Sequence, residues 1–426
     1  MSLEANDPNR KTWIDMPVNS DFPIQNIPFG VFITRDDIIT IGTRIGDKAI
    51  DLGALHKLGY LEGIEMPDDM FLQDTLNDFI ADGRKTWRSV RNRIAHIFDA
   101  ENDSLNKHPE HKQRVLFDLD EIEMQMPVQV GDYTDFYSSK EHATNVGKIF
   151  SSSEDALPSN WLHVPIAYNG RSSSIIPSGI PVKRPQGQKF PKGADEPIFG
   201  PSRLVDFELE MAFVTTAANY LGEPIPIDEA ESHIFGMVLF NDWSARDIQK
   251  WEHAPLGPFL AKSFASSISP WIVTLDALEP FRVEGPQPVK ELLPYLKSSG
   301  KKSYDINLEV DITPHNGKPT TVTRSNFKYM YWNMSQQLAH HTVNGCPVNS
   351  GDMMASGTIS GPTPESYGSM LELSWNGTSS LKLNGGEERK FIHDYDTVTL
   401  KGFCQNYEVR VGFGECSSRL MPIHKR

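Results

Sequence analysis

Acidic and apolar residues alternate strictly along residues 205–211, which read VDFELEM. Asp206, Glu208 and Glu210 occupy every second position, and side chains two apart lie on one face of a β-strand. The pattern therefore predicts a strand with one apolar face and one acidic face. By itself it is typical of a half-buried strand whose acidic face meets water. The other interpretation, an acidic face turned towards a bound cation, needs further carboxylates from elsewhere in the chain.

Length and charge limit the organisation and the partners of the chain. With 426 residues it exceeds the size at which one hydrophobic core stops growing, so we expect two domains. Its 41 Lys and Arg against 56 Asp and Glu give a formal net charge of -15, which repels nucleic acid and anionic membrane surfaces. We therefore expect a small-molecule substrate and no nucleic-acid or membrane partner.

Two further features favour a soluble cytoplasmic protein with reduced thiols. The first residues, MSLEANDPNRKTW, are polar, and no run approaches the ~18 uncharged residues that are needed to span a bilayer. The cysteines lack the close pairing of a zinc site or a disulfide scaffold, so we expect reduced, buried thiols. They are Cys346, Cys404 and Cys416.

The N-terminal part is predicted to be a small β-module with two helices. Short β-branched runs broken by Gly and Asp in residues 28–54 indicate a small antiparallel sheet or barrel. Apolar residues near helical spacing predict helices over 68–83 and 84–98. The polar segment 101–113 has no periodicity and is the expected join, so we place the domain boundary near residue 118.

This boundary divides the chain into domains 1–117 and 118–426, and strand-like runs dominate the second. The runs read LEMAFV, HIFGMVLF, INLEVDIT, MLELSW, DTVTLKGF and YEVRVGF, with HNGK as a hairpin turn. Residues 169–203 are rich in Gly, Pro and Ser and show no evident secondary structure, so we expect a functional connection, with disorder as the alternative. The predicted fold class is mainly β with some α (α+β).

Carboxylates recur in two other segments. Asp135 lies in the turn-rich stretch GDYTDFYSSKEHATNVG. Ser138 and Glu141 in the same stretch match a capping box, which places His142 in the first turn of a helix. Asp242 ends the apolar run GMVLFND and precedes a helical pattern, and as an N-cap it would need no ion.

If these carboxylates converge, they need a counter-ion. Each pair about 4 Å apart would cost roughly 4 kcal/mol at an effective dielectric constant near 20. A divalent cation removes this cost, and a ligand set made only of oxygen suits Ca²⁺, Mg²⁺ or Mn²⁺ rather than zinc or copper. The four candidates are Asp135, Glu208, Glu210 and Asp242. Their spacing in the sequence does not itself show that they meet.

Five segments, in order along the chain, resemble the signature segments of the fumarylacetoacetase family. They read GDYTDFYSSKEHATNVG, NWLHVPIAYNGRSSSI, LVDFELEMAFV, HIFGMVLFNDWSARDIQKWEHAPLGPFLAKSF and SGTISGPTPESYGSMLELSWNG. The resemblance runs from about residue 115 to the C-terminus and is weaker in the N-terminal module. It implies an SH3-like β-barrel as the N-terminal domain, a larger C-terminal mixed β-roll and a homodimer.

The resemblance also implies an activity. Members of this family hydrolyse a carbon–carbon bond of 4-fumarylacetoacetate to give fumarate and acetoacetate, the last step of tyrosine and phenylalanine catabolism. The leaving group departs as a carbanion, whose charge must spread into an enolate held by a cation. The implied enzyme is therefore a metal-dependent hydrolase with Ca²⁺ or Mg²⁺, and with Mn²⁺ as a further candidate.

Individual residues receive their roles from the same resemblance. His142 corresponds to the general base, and Glu372 corresponds to the carboxylate that orients it. The donors to the oxyanion correspond to Arg246, Gln249 and Lys262. Arg246 and Gln249 are three positions apart in a helical pattern, so they face the same way without any appeal to the family.

The remaining family positions bind cations and substrate. The cation ligands correspond to Asp135, Glu208, Glu210 and Asp242. The substrate contacts correspond to Tyr137, Tyr168, Gln249, His253 and Thr358. A second, structural cation site corresponds to Asp242, Lys262 and Ser266. On this interpretation Glu208 and Glu210 face an ion, whereas Asp206 is merely solvated.

Two positions depart from the family pattern. Ser151 stands where arginine is typical, and His253 stands where tyrosine is typical. Both positions contact substrate in the family, so the residue that holds the substrate carboxylate is open. Our hypothesis is that Lys148 or His253 supplies the missing positive partner.

Other functions also stay open. A related acylpyruvate or 1,3-dicarbonyl hydrolase, or a decarboxylase of the same superfamily, would keep the carboxylates. A non-catalytic calcium-binding scaffold would keep the acids as well. Such a scaffold has no need of His142, Glu372 and Lys262 together, so their joint presence favours an enzyme.

Overall fold

The computed structural model describes residues 3–150, 156–216 and 219–423. Strands and helices are intermixed along this part of the chain, and the predicted α+β class is confirmed. The α-helices are α1 (Leu52–Lys57), α2 (Asn77–Ala81), α3 (Arg84–Ile97), α4 (Pro109–Val115), α5 (Lys140–Phe150), α6 (Arg246–Glu252), α7 (Leu275–Leu278), α8 (Met334–Thr342) and α9 (Met370–Leu373).

A five-stranded sheet forms the N-terminal part, with the strand order β4-β3-β2-β1-β5 and antiparallel pairing throughout. Its strands are β1 (Phe29–Thr34), β2 (Ile39–Ile45), β3 (Lys48–Asp51), β4 (Leu116–Asp118) and β5 (Ile122–Met124). The antiparallel sheet predicted within residues 28–54 is confirmed. Because β5 adds a strand to this sheet beyond residue 118, the division into domains 1–117 and 118–426 stays a prediction.

One of the two predicted N-terminal helices is confirmed and the other is wrong. The helix predicted over 84–98 is α3, which buries Trp87 and Ile94 in the core. Over 68–83 the chain forms only a 3₁₀ turn and the short α2. The N–H of Leu76 bonds the carbonyl of Pro127 (2.9 Å) instead of a carbonyl one turn earlier, so a tertiary contact interrupts the helix.

The remaining strands belong mainly to two larger sheets. The first half of them comprises β6 (Tyr133–Phe136), β7 (Ala167–Asn169), β8 (Ile175–Pro177), β9 (Val182–Lys183), β10 (Gln186–Lys189), β11 (Ile198–Pro201), β12 (Val205–Asp206), β13 (Leu209–Thr215), β14 (Ile234–Asp242), β15 (Ser244–Ala245) and β16 (Ser266–Ile268). The second half comprises β17 (Val273–Thr274), β18 (Arg282–Val283), β19 (Ser303–Tyr304), β20 (Asn307–Thr313), β21 (Thr320–Asn326), β22 (Met353–Ala355), β23 (Leu381–Lys382), β24 (Glu388–Arg389), β25 (Thr397–Gln405) and β26 (Arg410–Met421).

An eight-stranded sheet lies in the middle of the molecule, with the order β7-β6-β22-β13-β14-β16-β8 and with β17 also paired to β14. One of its faces packs on the five-stranded sheet β21-β20-β25-β26-β9, and Leu239 and Leu308 share that core. Its other face packs on the N-terminal part, where Phe235 meets Phe29 and Trp87 at ring-centroid distances of 5.9 and 4.9 Å. Both faces of the central sheet are therefore covered.

Most of the strand-like runs of the second domain are confirmed. LEMAFV, HIFGMVLF, INLEVDIT, DTVTLKGF and YEVRVGF overlap β13, β14, β20, β25 and β26, and HNGK forms the turn between β20 and β21. Asn316 in this turn has a φ of 61°, a conformation that asparagine tolerates well. Residues 169–203 are not without structure, because β8, β9, β10 and β11 lie within them.

The strand predicted for MLELSW is wrong, because these residues begin with the helix α9. Alternating apolar residues at 371, 373 and 375 favour a strand locally. The Ser369 side chain, however, accepts a hydrogen bond from the N–H of Glu372 (3.3 Å) and caps a helical turn. A second acceptor at this helix start, Asp206, comes from a distant segment.

Two other expectations concern the thiols and membranes. Cys404 and Cys416 are buried free thiols as expected, whereas Cys346 is only half-buried. No helix in the described part of the chain combines the length and hydropathy that a membrane span requires.

Candidate active site

A cleft of about 820 Å³ opens at one end of the central sheet and is lined by most of the residues singled out from the sequence. The strand order brings them there. Asp135 on β6 pairs with Ala355 on β22, and Ala355 pairs in turn with Ala212 on β13. Glu210 lies two residues before Ala212 on that strand, and Asp242 ends the adjacent β14. The fold thus gathers carboxylates that are far apart in sequence.

The four predicted ligand carboxylates form one compact cluster. Each of Asp135, Glu208, Glu210 and Asp242 contributes an oxygen, and these oxygens lie within 4.8 Å of one another. Their exposed fractions are 2%, 5%, 1% and 1%, so the alternative of an acidic strand face in water is excluded for Glu208 and Glu210. The physical reason is that the central sheet has no free face at this strand.

Burial makes this cluster electrostatically costly. Burial first, and then the charge of Asp242, raise the pKa of Asp135 well above its usual range. Burial and the charge of Asp135 do the same to the pKa of Glu210. Further positive charge at the cluster would favour the ionised forms of both side chains.

Two buried cations offset part of the negative charge. Lys262 Nζ donates to Asp242 Oδ2 at 2.6 Å and to Glu208, and Arg246 Nη2 lies 2.6 Å from Glu208 Oε1. Burial alone would raise the pKa of Glu208, but Lys262 and Arg246 outweigh it and lower that pKa below its usual range. Four carboxylates against two cations still leave negative charge without a partner.

The unpaired atoms of the cluster suit a hard divalent cation. Asp135 Oδ1 is buried and has no hydrogen-bond partner. Its other oxygen accepts from the Tyr168 hydroxyl at 2.9 Å, and the same hydroxyl lies 3.1 Å from Asp242 Oδ2. The Gly357 N–H donates to Glu210 Oε2 at 3.1 Å. Carboxylate oxygens are the ligands that Ca²⁺ and Mg²⁺ prefer, so the residues present fit such an ion.

A buried histidine–glutamate pair stands beside this cluster. His142 Nδ1 lies 2.7 Å from Glu372 Oε2, and the exposed fractions of the two residues are 4% and 1%. Glu372 also accepts hydrogen bonds from Asn145, Ser360 and Ser369, each at 2.9 Å. Burial would raise the pKa of Glu372, but His142 and these hydrogen bonds lower it. An ionised Glu372 only accepts, so Nδ1 of His142 carries the proton and Nε2 is free to take one.

The helix that carries His142 begins one residue later than the capping box predicts. The N–H of His142 bonds Ser139 Oγ at 3.1 Å, so Ser139 caps the helix and the predicted box of Ser138 and Glu141 is wrong. Ser138 Oγ instead accepts from the Gln337 side chain at 2.9 Å.

The predicted oxyanion donors enter the cleft from α6 and from the segment after it. Arg246 Nη1 donates to Gln249 Oε1 at 3.1 Å. This bond uses the amide oxygen of Gln249 and not its N–H groups. The predicted substrate contacts that line the same cleft are Tyr137, Tyr168, His253 and Thr358.

The structure separates other predicted residues from this cleft. Ser266 lines a smaller adjoining cavity of about 140 Å³ together with Asp242 and Lys262, and it donates to Asp242 Oδ1 at 2.8 Å. Lys148 is exposed and is not among the residues that line the cleft. Ser151 lies outside the described residues.

Sequence analysis missed the surroundings of Asp206 and the contribution of Lys250. Asp206 was expected to be solvated, but its exposed fraction is 0% and it accepts from Arg246 Nε at 2.8 Å. Strict alternation places it on the same strand face as Glu208, and this signal could have marked it as buried. Lys250 lines the cleft from α6, one residue after Gln249.

Solved structures share this fold. A fumarylacetoacetate hydrolase from the psychrophile Exiguobacterium antarcticum aligns with a TM-score of 0.52 at 16% identity, covering 93% of this chain and 100% of that one. This likeness shows that the two chains share a fold, and in this chain the fold carries a carboxylate-lined cleft.

Sequence comparison gives the family. The family described as "Fumarylacetoacetate (FAA) hydrolase C-terminal" matches residues 132–421, and "Fumarylacetoacetase N-terminal" matches residues 25–127. The fumarylacetoacetase of Dictyostelium discoideum is 49% identical over 98% of this chain and 99% of its own length. The fumarylacetoacetase of Homo sapiens is 48% identical over 96% and 99%. The chain belongs to the fumarylacetoacetase family.

The cluster should bind a divalent cation that stabilises the folded chain. Adding Ca²⁺ or Mg²⁺ to metal-free protein should raise Tm, because a ligand at a hundred times its Kd adds about 2.7 kcal/mol to the free energy of unfolding. Glu210→Gln should remove most of this rise, which differential scanning calorimetry measures. Glu309→Gln is the matched control, since Glu309 is also a strand glutamate but pairs with Arg324 at 2.9 Å outside the cleft. If neither cation changes the Tm of the wild-type protein, the assignment of the cluster as a cation site is wrong.

Proposed function

We propose that this chain hydrolyses the carbon–carbon bond of 4-fumarylacetoacetate to fumarate and acetoacetate, the last step of tyrosine and phenylalanine catabolism. The observation that carries the proposal is a cleft lined by His142 and by three of the four clustered, buried carboxylates, with His142 bonded to the buried Glu372. Relatives named fumarylacetoacetase that match nearly the whole chain support it. The homodimer and the cytoplasmic location are further parts of the proposal, and only the family resemblance supports them.

Asp135, Glu208, Glu210 and Asp242 would hold the divalent cation, Ca²⁺ or Mg²⁺ with Mn²⁺ as a further candidate. When bound, such a cation supplies a Lewis acid that stabilises the enolate charge of the departing acetoacetate. Lys262 and Ser266 stay proposed members of a second cation site. Both donate to Asp242, so their side chains also hold that carboxylate in place.

His142 is the proposed general base. Its Nε2 takes a proton from water, and the resulting hydroxide attacks the carbonyl carbon of the bond that breaks. Glu372 holds the imidazole in the required tautomer and stabilises the positive charge that it gains. When the bond breaks, its electron pair leaves with the acetoacetate carbon, and the proton held on His142 is available to that carbon.

Arg246, Gln249 and Lys262 are the proposed donors to the oxyanion formed by this attack. Each donor fixed in a dry site typically contributes about 3–4 kcal/mol to stabilisation of the transition state. Their positions are set before substrate arrives, because Arg246 and Lys262 are already held by Glu208 and Gln249 is held by Arg246. Tyr137, Tyr168, Gln249, His253 and Thr358 are the proposed substrate contacts.

Two rival functions have less support. A calcium-binding scaffold gains nothing from a histidine that is buried, aimed into a cleft and bonded to Glu372. A hydrolase or decarboxylase of smaller acylpyruvates would keep the carboxylates. The long match to relatives named fumarylacetoacetase extends through the N-terminal part as well, and it favours the larger substrate.

The purified chain should turn over fumarylacetoacetate only with a divalent cation. Spectrophotometry should show loss of substrate in the presence of Ca²⁺ or Mg²⁺, no loss after treatment with a chelator, and recovery when the cation is restored. Acetylpyruvate should give a lower kcat/KM than fumarylacetoacetate. Full activity after complete metal removal contradicts the proposed metal dependence, and a preference for acetylpyruvate contradicts the proposed substrate.

Glu372→Gln should lower kcat about 1,000-fold, because a glutamine amide donates to His142 Nδ1 and fixes the wrong tautomer. The variant keeps the shape of the side chain, so its Tm and its cation binding should change little. Glu365→Gln is the control, since Glu365 lies nearby in sequence but is exposed. Wild-type kcat in Glu372→Gln would remove His142 from the mechanism.

His253 is the better candidate for the positive group that binds the substrate carboxylate, because it lines the cleft and Lys148 does not. His253→Ala should raise KM about tenfold through loss of one hydrogen bond to a charged group. Lys148→Ala, its matched partner, should leave KM unchanged. Steady-state kinetics with both variants decides this point, and an unchanged KM in His253→Ala rejects the hypothesis.

A further inference from the structure

Asp206 contacts two parts of the proposed catalytic machinery at once. Its Oδ2 accepts a hydrogen bond from Arg246 Nε at 2.8 Å. Its two oxygens also accept from the backbone N–H groups of Met370 (2.7 Å) and Leu371 (3.0 Å). These residues begin α9, the helix that carries Glu372. One carboxylate therefore joins the oxyanion arginine to the helix of the residue that orients His142.

The contact with α9 fixes a helix that could not stand alone. α9 has 4 residues, far fewer than an isolated helix needs to form in water. The first N–H groups of any helix lack partners within it, and a carboxylate at this end is favourable. Asp206 supplies the acceptors for two of these groups, while Ser369 Oγ accepts from Glu372. Asp206 therefore helps to hold the helix that carries Glu372, whose side chain is also bonded to His142, Asn145, Ser360 and Ser369.

The contact with Arg246 fixes the orientation of the guanidinium group. With Nε held by Asp206, the planar guanidinium directs Nη1 to Gln249 (3.1 Å) and Nη2 to Glu208 (2.6 Å). A guanidinium without the Nε contact could rotate and lose the hydrogen bond to Gln249 or the ion pair with Glu208. Asp206 thereby determines where two of the proposed oxyanion donors point.

We propose that Asp206 is a positioning residue that couples the oxyanion donors to the His142–Glu372 pair. The inference rests on the proposed function and extends it to a residue outside the cleft, because Asp206 is not among the residues that line the cleft. The contact with Arg246 and the contact with α9 both act on the transition state, in which the oxyanion forms and water loses its proton. Disturbing Asp206 should therefore lower kcat and leave KM nearly unchanged.

Asp396 offers a matched control elsewhere in the chain. It is 1% exposed, accepts from Arg389 Nε at 2.7 Å, and accepts from the N–H of His393 at 2.9 Å. It thus shares with Asp206 a buried pairing with arginine and a bond to the backbone, but its partner Arg389 is not among the cleft residues, whereas Arg246 is. Asp396→Asn reports the loss of stability that comes from neutralising such a carboxylate.

The test compares Asp206→Asn with Asp396→Asn in the hydrolysis of fumarylacetoacetate, well below the Tm of each variant. Asp206→Asn should lower kcat about 10–100-fold, as expected for a partner that orients reacting groups, with KM within about threefold of wild type. Asp396→Asn should lower only Tm. A kcat of Asp206→Asn equal to that of the control reduces Asp206 to a structural role and overturns the inference. Inactive wild-type protein would instead count against the proposed function.

Combining variants tests the coupling directly. Asp206→Asn should add little to the loss caused by Arg246→Lys or by Glu372→Gln, because each pair interrupts the same connection. If the reductions in kcat multiply in both double variants, the proposed coupling is contradicted. If Asp206→Asn does not fold, Arg246→Lys combined with Glu372→Gln measures the same coupling from its two ends. Multiplied losses in that double variant also overturn the inference.

Discussion

A buried carboxylate must find a positive or hydrogen-bonding partner, and this requirement shapes the centre of the molecule. The central sheet has a hydrophobic core on each face, and Asp206, Glu208 and Glu210 are almost wholly buried beside it. Each acid has a different solution. Asp206 has an arginine and a helix start, and Glu208 has a lysine and an arginine. Glu210 has a backbone N–H, while the neighbouring carboxylates repel its charge. The cleft lies where these partners leave part of the negative charge uncompensated.

Local patterns in the sequence predicted the elements whose contacts are periodic. Alternation identified β13, an apolar run identified β14, helical spacing identified α3, and the HNGK turn identified the hairpin of β20 and β21. Such patterns failed where a distant segment decides the local structure. The helix predicted over 68–83 is interrupted by a bond to Pro127, and α9 replaces a predicted strand because Asp206 accepts from its first N–H groups. No local signal contains these partners.

The candidate site shows the same limit more sharply. Side-chain type and family resemblance suggested which carboxylates to consider, but a separation of tens of residues carries no geometric information. Asp206, Glu208 and Glu210 follow one alternating pattern, yet their partners differ completely. Sequence could predict that the three share a face. It could not predict that the first contacts a helix end, because that helix comes from a segment more than a hundred residues later in the chain.

The two hydrophobic cores share the strand that carries Glu210. Ala212 and Val214, on the same face of β13, pack into the core formed with the N-terminal part, while Met211 packs into the opposite core. A missense change on the remote side of that N-terminal core can therefore shift a strand of the acidic cluster without altering any residue in the cleft. Substitutions that abolish activity in a chain built this way need not map to the pocket.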